Sequence, residues 1–321
     1  MIISADDGTS LFSQSERADS SRGDIFVIHG LGEHGGRYDE FARKALAANW
    51  SVHRLDLRGH GRSEGLGGHA DNFRVFQGDL LAWIQALEAK SLIGKRQPRI
   101  FFGHSLGGLI ALEALTSPHG SRLKATGLAL SAPAVSILSP FAQAKPLLDF
   151  GLPALLEKLH VPTGLKPKAL SRDPEAQQNY ANDPLVRKNL TIALFRGMLE
   201  AMEGLKAEPQ ALGIPVAIFF GDSDPIVDPK AIRVFANSLE AQDKEIHEFR
   251  GCLHEVFHDL KKDEAYARFE KWLNKCGPKN PTPKKSKLFA KSSAREVTAK
   301  ATSRSPRAKK AISTSTLKKR R

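Results

Sequence analysis

Short apolar runs rich in β-branched and aromatic residues recur between amphipathic stretches of helical length, and this alternation restricts the fold more than any other feature. The runs are 24–29 (DIFVIH), 51–55 (SVHRL), 99–102 (RIFF), 126–130 (TGLAL), 216–220 (VAIFF) and 245–249 (EIHEF). Helical patterning occupies 38–49, 72–90, 106–116, 229–241 and 263–274. Near-continuous apolar runs suit strands buried on both faces, so the pattern predicts an α/β fold: a mainly parallel central sheet with flanking helices. The alternation breaks once, from about 135 to 213, where no strand pattern shows and apolar residues cluster, as in AKPLLDFGLPALLEKLH (144–160). Such an insertion between two buried strands predicts a helical cap over the carboxyl ends of the sheet, where ligands bind in these folds. The expected organisation is a core in two parts (1–134 and 214–277), the cap insertion (135–213) and a tail (278–321).

Two segments match Gly-X-Ser-X-Gly: Gly61-Arg62-Ser63-Glu64-Gly65 and Gly103-His104-Ser105-Leu106-Gly107. The pattern needs structural context before it carries chemistry. A nucleophilic serine of this kind sits on a tight strand-to-helix turn whose small neighbours let helix and strand approach closely. Ser105 follows RIFF directly and opens the apolar run GGLIALEAL, so it satisfies both conditions. Ser63 leads into GLGGHADN, which has no helical pattern, and reads as part of a Gly-rich turn.

A serine hydroxyl is a poor nucleophile at neutral pH; it needs a base, and the imidazolium so formed needs an orienting acid. On such a sheet the order along the chain is serine, acid, histidine, with the last two delivered by late strands. Asp222, Asp224 and Asp228 follow the strand VAIFF in FFGDSDPIVDP. Asp224 is preferred because it lies a few residues past the strand and precedes Pro225; Asp222 is the alternative, otherwise a turn-capping carboxylate. His254, just past EIHEF, is preferred as base over His258, while His53, His60 and His104 precede the acid. The oxyanion donors expected are the backbone N–H groups of Leu106, after the nucleophile, and Leu31, in His29-Gly30-Leu31-Gly32.

Several segments together resemble the monoacylglycerol lipase and lysophospholipase branch of the α/β-hydrolases. They are His29-Gly30-Leu31-Gly32-Glu33-His34-Gly35-Gly36-Arg37-Tyr38, Arg54-Leu55-Asp56-Leu57-Arg58-Gly59-His60-Gly61-Arg62-Ser63-Glu64-Gly65, and Gly103-His104-Ser105-Leu106-Gly107-Gly108. Asn182-Asp183-Pro184-Leu185-Val186 and Gly221-Asp222-Ser223-Asp224 are also similar. The resemblance covers about residues 1 to 275. It implies the α/β-hydrolase fold, a Ser105–Asp224–His254 triad and oxyanion donors at Leu31 and Leu106. It also implies that Glu33 and Arg37 lie in a polar pocket for the leaving alcohol. In some monoacylglycerol lipases a second histidine stands three residues after the catalytic one; here His258 stands four after, and His254-Glu255-Val256-Phe257 looks more like bacterial lysophospholipase relatives. The substrate implied is a single-chain lipid ester, first a monoacylglycerol and second a lysophospholipid, with other small-ester, thioester or peptide hydrolysis behind them. Cap leucines such as Leu148 and Leu155 are expected to line the acyl site, and no metal or cofactor is expected.

The formal charge of +13 raises a different class, a polyanion-binding module. Its distribution answers most of that: 278–321 holds 15 Lys or Arg and one acid, Glu296, leaving 33 of 48 bases and 34 of 35 acids for the rest. The body is near neutral, and only the tail is basic. That tail has almost no large apolar side chains and is expected to be disordered, to contact anionic membrane or polyanion, and to lack specific nucleic-acid recognition. Cys252 and Cys276 are too few for a disulfide framework and fit a reducing compartment. With no long apolar span and no signal-peptide pattern in residues 1–9, a cytoplasmic protein peripheral to a membrane is expected.

Overall fold

In the computed structural model, which describes residues 1–94, 96–138, 154–207 and 210–278, the apolar runs become one eight-stranded sheet. Its first four strands in chain order are Ile2–Ser4 (β1), Ser10–Glu16 (β2), Asp24–Ile28 (β3) and Ser51–Leu55 (β4). Arg99–His104 (β5) and Gly127–Ser131 (β6) follow, and after three short strands, His160–Pro162 (β7), Asn189–Thr191 (β8) and Ala211–Leu212 (β9), the sheet resumes with Val216–Gly221 (β10). Glu240–Ala241 (β11) precedes the last sheet strand, Lys244–Phe249 (β12). The order across the sheet is β1-β2-β4-β3-β5-β6-β10-β12, parallel from β4 to β12 and antiparallel at β1 and β2.

Both faces of this sheet are covered. Phe26, Ile28, Phe101, Ile218 and Phe220 point into one apolar layer with the helices Val75–Ala89 (α1) and Leu106–Thr116 (α2). Their neighbours Ile25, Val27, Ile100, Phe102, Ala217 and Phe219 enter the opposite layer with the helices Asp39–Ala47 and Lys262–Cys276. Successive side chains on a strand alternate faces, so two covered faces demand an unbroken apolar run. This is why the sequence pattern was continuous and not alternating.

Three features differ from the sequence expectation. The antiparallel β1–β2 edge had no apolar run to announce it, since Ser10–Glu16 reads SLFSQSE. Strand β5 runs two residues further than RIFF, because Gly103 and His104 stay paired to Leu130 and Ser131 of β6. The insertion between β6 and β10 is not wholly helical: His160–Pro162 pairs antiparallel with Asn189–Thr191. Such three-residue strands are too short to produce a periodic signal. Ala211–Leu212 (β9) pairs parallel with Glu240–Ala241 (β11), and the helices of the described insertion are Ala154–Glu157, Pro167–Leu170, Pro174–Asn182 and Ile192–Ala207. Leu148 lies outside the described residues, as do the side chain of Leu155 and residues 279–321.

Candidate active site

Ser105 occupies the turn between strand β5 and helix α2, at φ +50° and ψ −115°. A non-glycine residue there carries strain of about 1–3 kcal/mol, maintained only when the surroundings enforce it. The strand is locked between β3 and β6, the Ser105 amide donates to Ser131 O at 2.9 Å, and its carbonyl accepts from Gly108, Leu109 and Ala134 amides. The flanking glycines are required by space. A Cβ on Gly107 would stand 2.1 Å from Ile28 O, and one on Gly103 would stand 2.6 Å from Gly107 O. The hydroxyl is thereby lifted out of the sheet and into a cavity.

His254 and Asp224 meet beyond the ends of β10 and β12. His254 Nδ1 donates to Asp224 Oδ2 at 2.7 Å, while Asp224 Oδ1 accepts from the Ile226 and Val227 amides at 2.7 and 3.1 Å. The tautomer is set by that carboxylate, which leaves Nε2 as the basic nitrogen. Both side chains are buried. Burial disfavours the charged imidazole, but Asp224, then Glu255 and Glu33, outweigh it and hold His254 above the usual histidine range. The approach to Gly221 is equally tight: a Cβ there would lie 2.1 Å from Cys252 O, so the histidine loop crosses directly over the end of β10.

The alternatives occupy structural positions. Asp222 accepts from Gly251 N at 2.6 Å and from Ser223 Oγ, and Asp228 caps the helix Pro229–Ser238 through Lys230 N. His258 faces Arg37 O at 3.1 Å and Glu255 at 3.3 Å. His104 lies tilted against His254 with ring centroids 4.8 Å apart and Nδ1 on Ser131 O; burial, then the nearby His254, holds it well below the usual histidine range. His60 is pushed down to about 4 by burial, and His53 is enclosed between Ser15 and Asp24.

The two expected oxyanion donors are close to the serine. Leu106 opens helix α2, so its N–H has no intrahelical partner. Leu31 follows Gly30, where an added Cβ would stand 3.4 Å from Ser105 Cβ. Among the described residues neither amide donates to a backbone carbonyl. The loop is also pinned from the insertion, since Arg187 N donates to Gly32 O at 2.8 Å. Ser105 and Leu31 lie in a cavity of about 420 Å³ whose other walls include Ala134, Pro225 and Ile226 from the core and Ile137, Leu138, Val161, Leu190, Ile192, Phe195 and Met198 from the insertion.

Glu33 and Arg37 depart from expectation: neither lines that cavity. Arg37 makes two 2.8 Å hydrogen bonds to Glu255, lies 2.9 Å from Glu33 Oε2 and stacks on Tyr180 at 4.9 Å. Both side chains are buried in this cluster, where the one guanidinium holds the two carboxylates. The reason is Glu255, which the sequence reading left without a role and which supplies the carboxylate that draws the guanidinium inward. Glu33, His104 and Glu255 also bring together atoms of metal-ligand type. Here the Arg37 guanidinium already pairs with both carboxylates, so the set reads as a charge network.

The family model described as serine aminopeptidase, S33, matches residues 19–261. The chain is 26% identical over 251 residues to phospholipase YtpA of Bacillus subtilis, covering 78% of this chain and 94% of that one. It is 31% identical over 241 residues to the monoglyceride lipase of Mus musculus, covering 74% and 76%. The crystal structure of a monoacylglycerol lipase from Paleococcus ferrophilus superposes with a TM-score of 0.72 at 29% identity, covering 83% of this chain and 99% of that one. An elbow serine, a histidine–carboxylate pair on late strand ends and a match over most of the sheet place this chain in the serine aminopeptidase S33 family of α/β-hydrolases, among its monoacylglycerol lipase-like members.

Proposed function

We propose that the chain is a carboxylic ester hydrolase that cleaves a monoacylglycerol through Ser105, His254 and Asp224. The observation that carries this reading is the placement of Ser105 in an apolar cavity closed by the insertion, which serves as a cap. His254 Nε2 takes the Ser105 proton as the hydroxyl attacks the ester carbonyl. The Leu31 and Leu106 amides receive the developing oxyanion, and the imidazolium returns its proton to the departing alcohol. Water repeats the sequence to release the fatty acid. A lysophospholipid is the second reading, favoured by the likeness to a bacterial phospholipase.

The test is a hydrolysis panel of monoacylglycerols of graded length, lysophosphatidylcholine, a short aryl ester and an aminoacyl amide. Preference for long-chain monoacylglycerol supports the reading, and turnover of the amide alone overturns it. Val161→Phe, in the cap wall, is expected to shorten the preferred acyl chain while leaving the short aryl ester unchanged. The basic segment 278–321 is read as an electrostatic tether, worth about 1 kcal/mol per basic residue held near an anionic surface. Removing it is expected to abolish salt-sensitive binding to anionic vesicles without altering short-ester turnover.

A further inference from the structure

We propose that Glu255, paired with Arg37, is a positioning residue for His254: it fixes the loop that carries the base and presents negative charge to it. The inference rests on the role given to His254 above. Strand β12 ends at Phe249, so the loop beyond it has no sheet ladder to hold it. It is held instead by two kinds of contact. On the apolar side Phe257 packs against Phe102 and Phe219, with ring centroids 5.2 and 5.3 Å apart. On the polar side the Glu255 carboxylate takes both Arg37 hydrogen bonds, and its amide donates to Leu170 O at 2.8 Å. Arg37 O in turn meets His258 Nε2. One buried carboxylate therefore joins the loop to the segment after β3, and its own backbone joins it to the cap.

The groups facing His254 are Asp224 from the turn after β10, Glu255 and His258 on its own loop, Glu33 and Arg37 from the segment after β3, and His104 at the end of β5. Burial opposes ionisation of Glu255, but Arg37 and His258 hold its carboxyl well below the usual range. Burial pushes Glu33 up, with Arg37 opposing. Glu255 is thus the dependable negative charge beside the base after Asp224. Removing that charge makes the imidazolium harder to form, so the pH at which the base becomes protonated falls.

Fluorophosphonate labelling of the wild-type full chain comes first; no labelling there overturns the proposed serine chemistry and not this inference. Glu255→Gln is then expected to lower kcat about ten- to hundred-fold on both a short aryl ester and a monoacylglycerol, with KM little changed. The acid limb of its pH profile should move down by about half to one unit. The double variant Arg37→Met, Glu255→Met removes both charges and leaves no lone buried ion of the pair. It should recover only part of the thermal stability lost in Glu255→Gln, since Glu33 loses its cation, and should not recover kcat. Full recovery of kcat in the double variant, an unmoved acid limb in Glu255→Gln, or a KM increase confined to the monoacylglycerol would overturn the proposal.

Discussion

Gly61-Arg62-Ser63-Glu64-Gly65 and Gly103-His104-Ser105-Leu106-Gly107 satisfy the same five-residue pattern, yet the chain puts them to opposite purposes. Ser63 is buried: its hydroxyl donates to Asp56 O and accepts from Phe12 N at 2.8 Å, which ties the turn to the β2 edge. Its glycines take positive φ, +52° at Gly61 and +109° at Gly65, and Gly61 is also tight, an added Cβ standing 2.2 Å from Asp56 Oδ2. At Ser105 the positive φ belongs to the serine itself, and the glycines are there for close approach. One turn satisfies its hydroxyl within the fold; the other strains its backbone to present the hydroxyl to a cavity. What separates them is whether a strand buried on both faces runs directly into a helix.

The sharpest way to break this comparison is to remove each hydroxyl. Ser105→Ala is expected to lower kcat on a short aryl ester about 10⁶-fold and to abolish fluorophosphonate labelling, whereas Ser63→Ala should retain both. Labelling that survives in Ser105→Ala would exchange the two assignments. Next in size is the acid: Asp224→Asn should cost about 10⁴-fold in kcat, because the asparagine cannot hold His254 in the working tautomer, while Asp222→Asn leaves turnover nearly intact. Kinetics on the same ester decide between them. The glycines extend the contrast. Gly107→Ala, with its Cβ 2.1 Å from Ile28 O, should displace the elbow and lower kcat/KM about a hundredfold. Gly65→Ala should instead cost about 1–3 kcal/mol of stability at unchanged kcat, measured by chemical denaturation. Ser63→Ala is expected to cost a similar ~1–3 kcal/mol, since the part-buried Phe12 amide loses its acceptor. A loss of turnover per folded molecule in that variant would blur the distinction.

Legibility along the sequence followed burial. Five of the six runs were readable because both faces of their strands are covered, while β12 at the sheet edge is partly exposed, and the elbow was readable because RIFF and GGLIALEAL flank it. The β1–β2 edge was not, since an edge strand with polar neighbours carries little pattern. The triad acid could be narrowed to two candidates from position alone; the 2.7 Å contact with His254 is what separates Asp224 from Asp222 in space. Glu33 and Arg37 were noticed, but their burial depends on Glu255, more than 200 residues away along the chain. No local signal encodes a partner at that separation.

The sequence by itself determined the α/β class and six strands of the sheet, and it pointed to a candidate serine and to the two regions holding the candidate acid and base. Each of these follows from local rules: apolar period, glycine at a tight turn, and the ends of strands. Only the tertiary structure decided what the Ser63 hydroxyl binds, which residues of the insertion wall the cavity at Ser105, and that Arg37 faces Glu255. Those outcomes depend on which distant groups come within hydrogen-bond reach. A buried polar atom takes whatever partner folding brings to it, because leaving it unpaired costs more than any local preference can return.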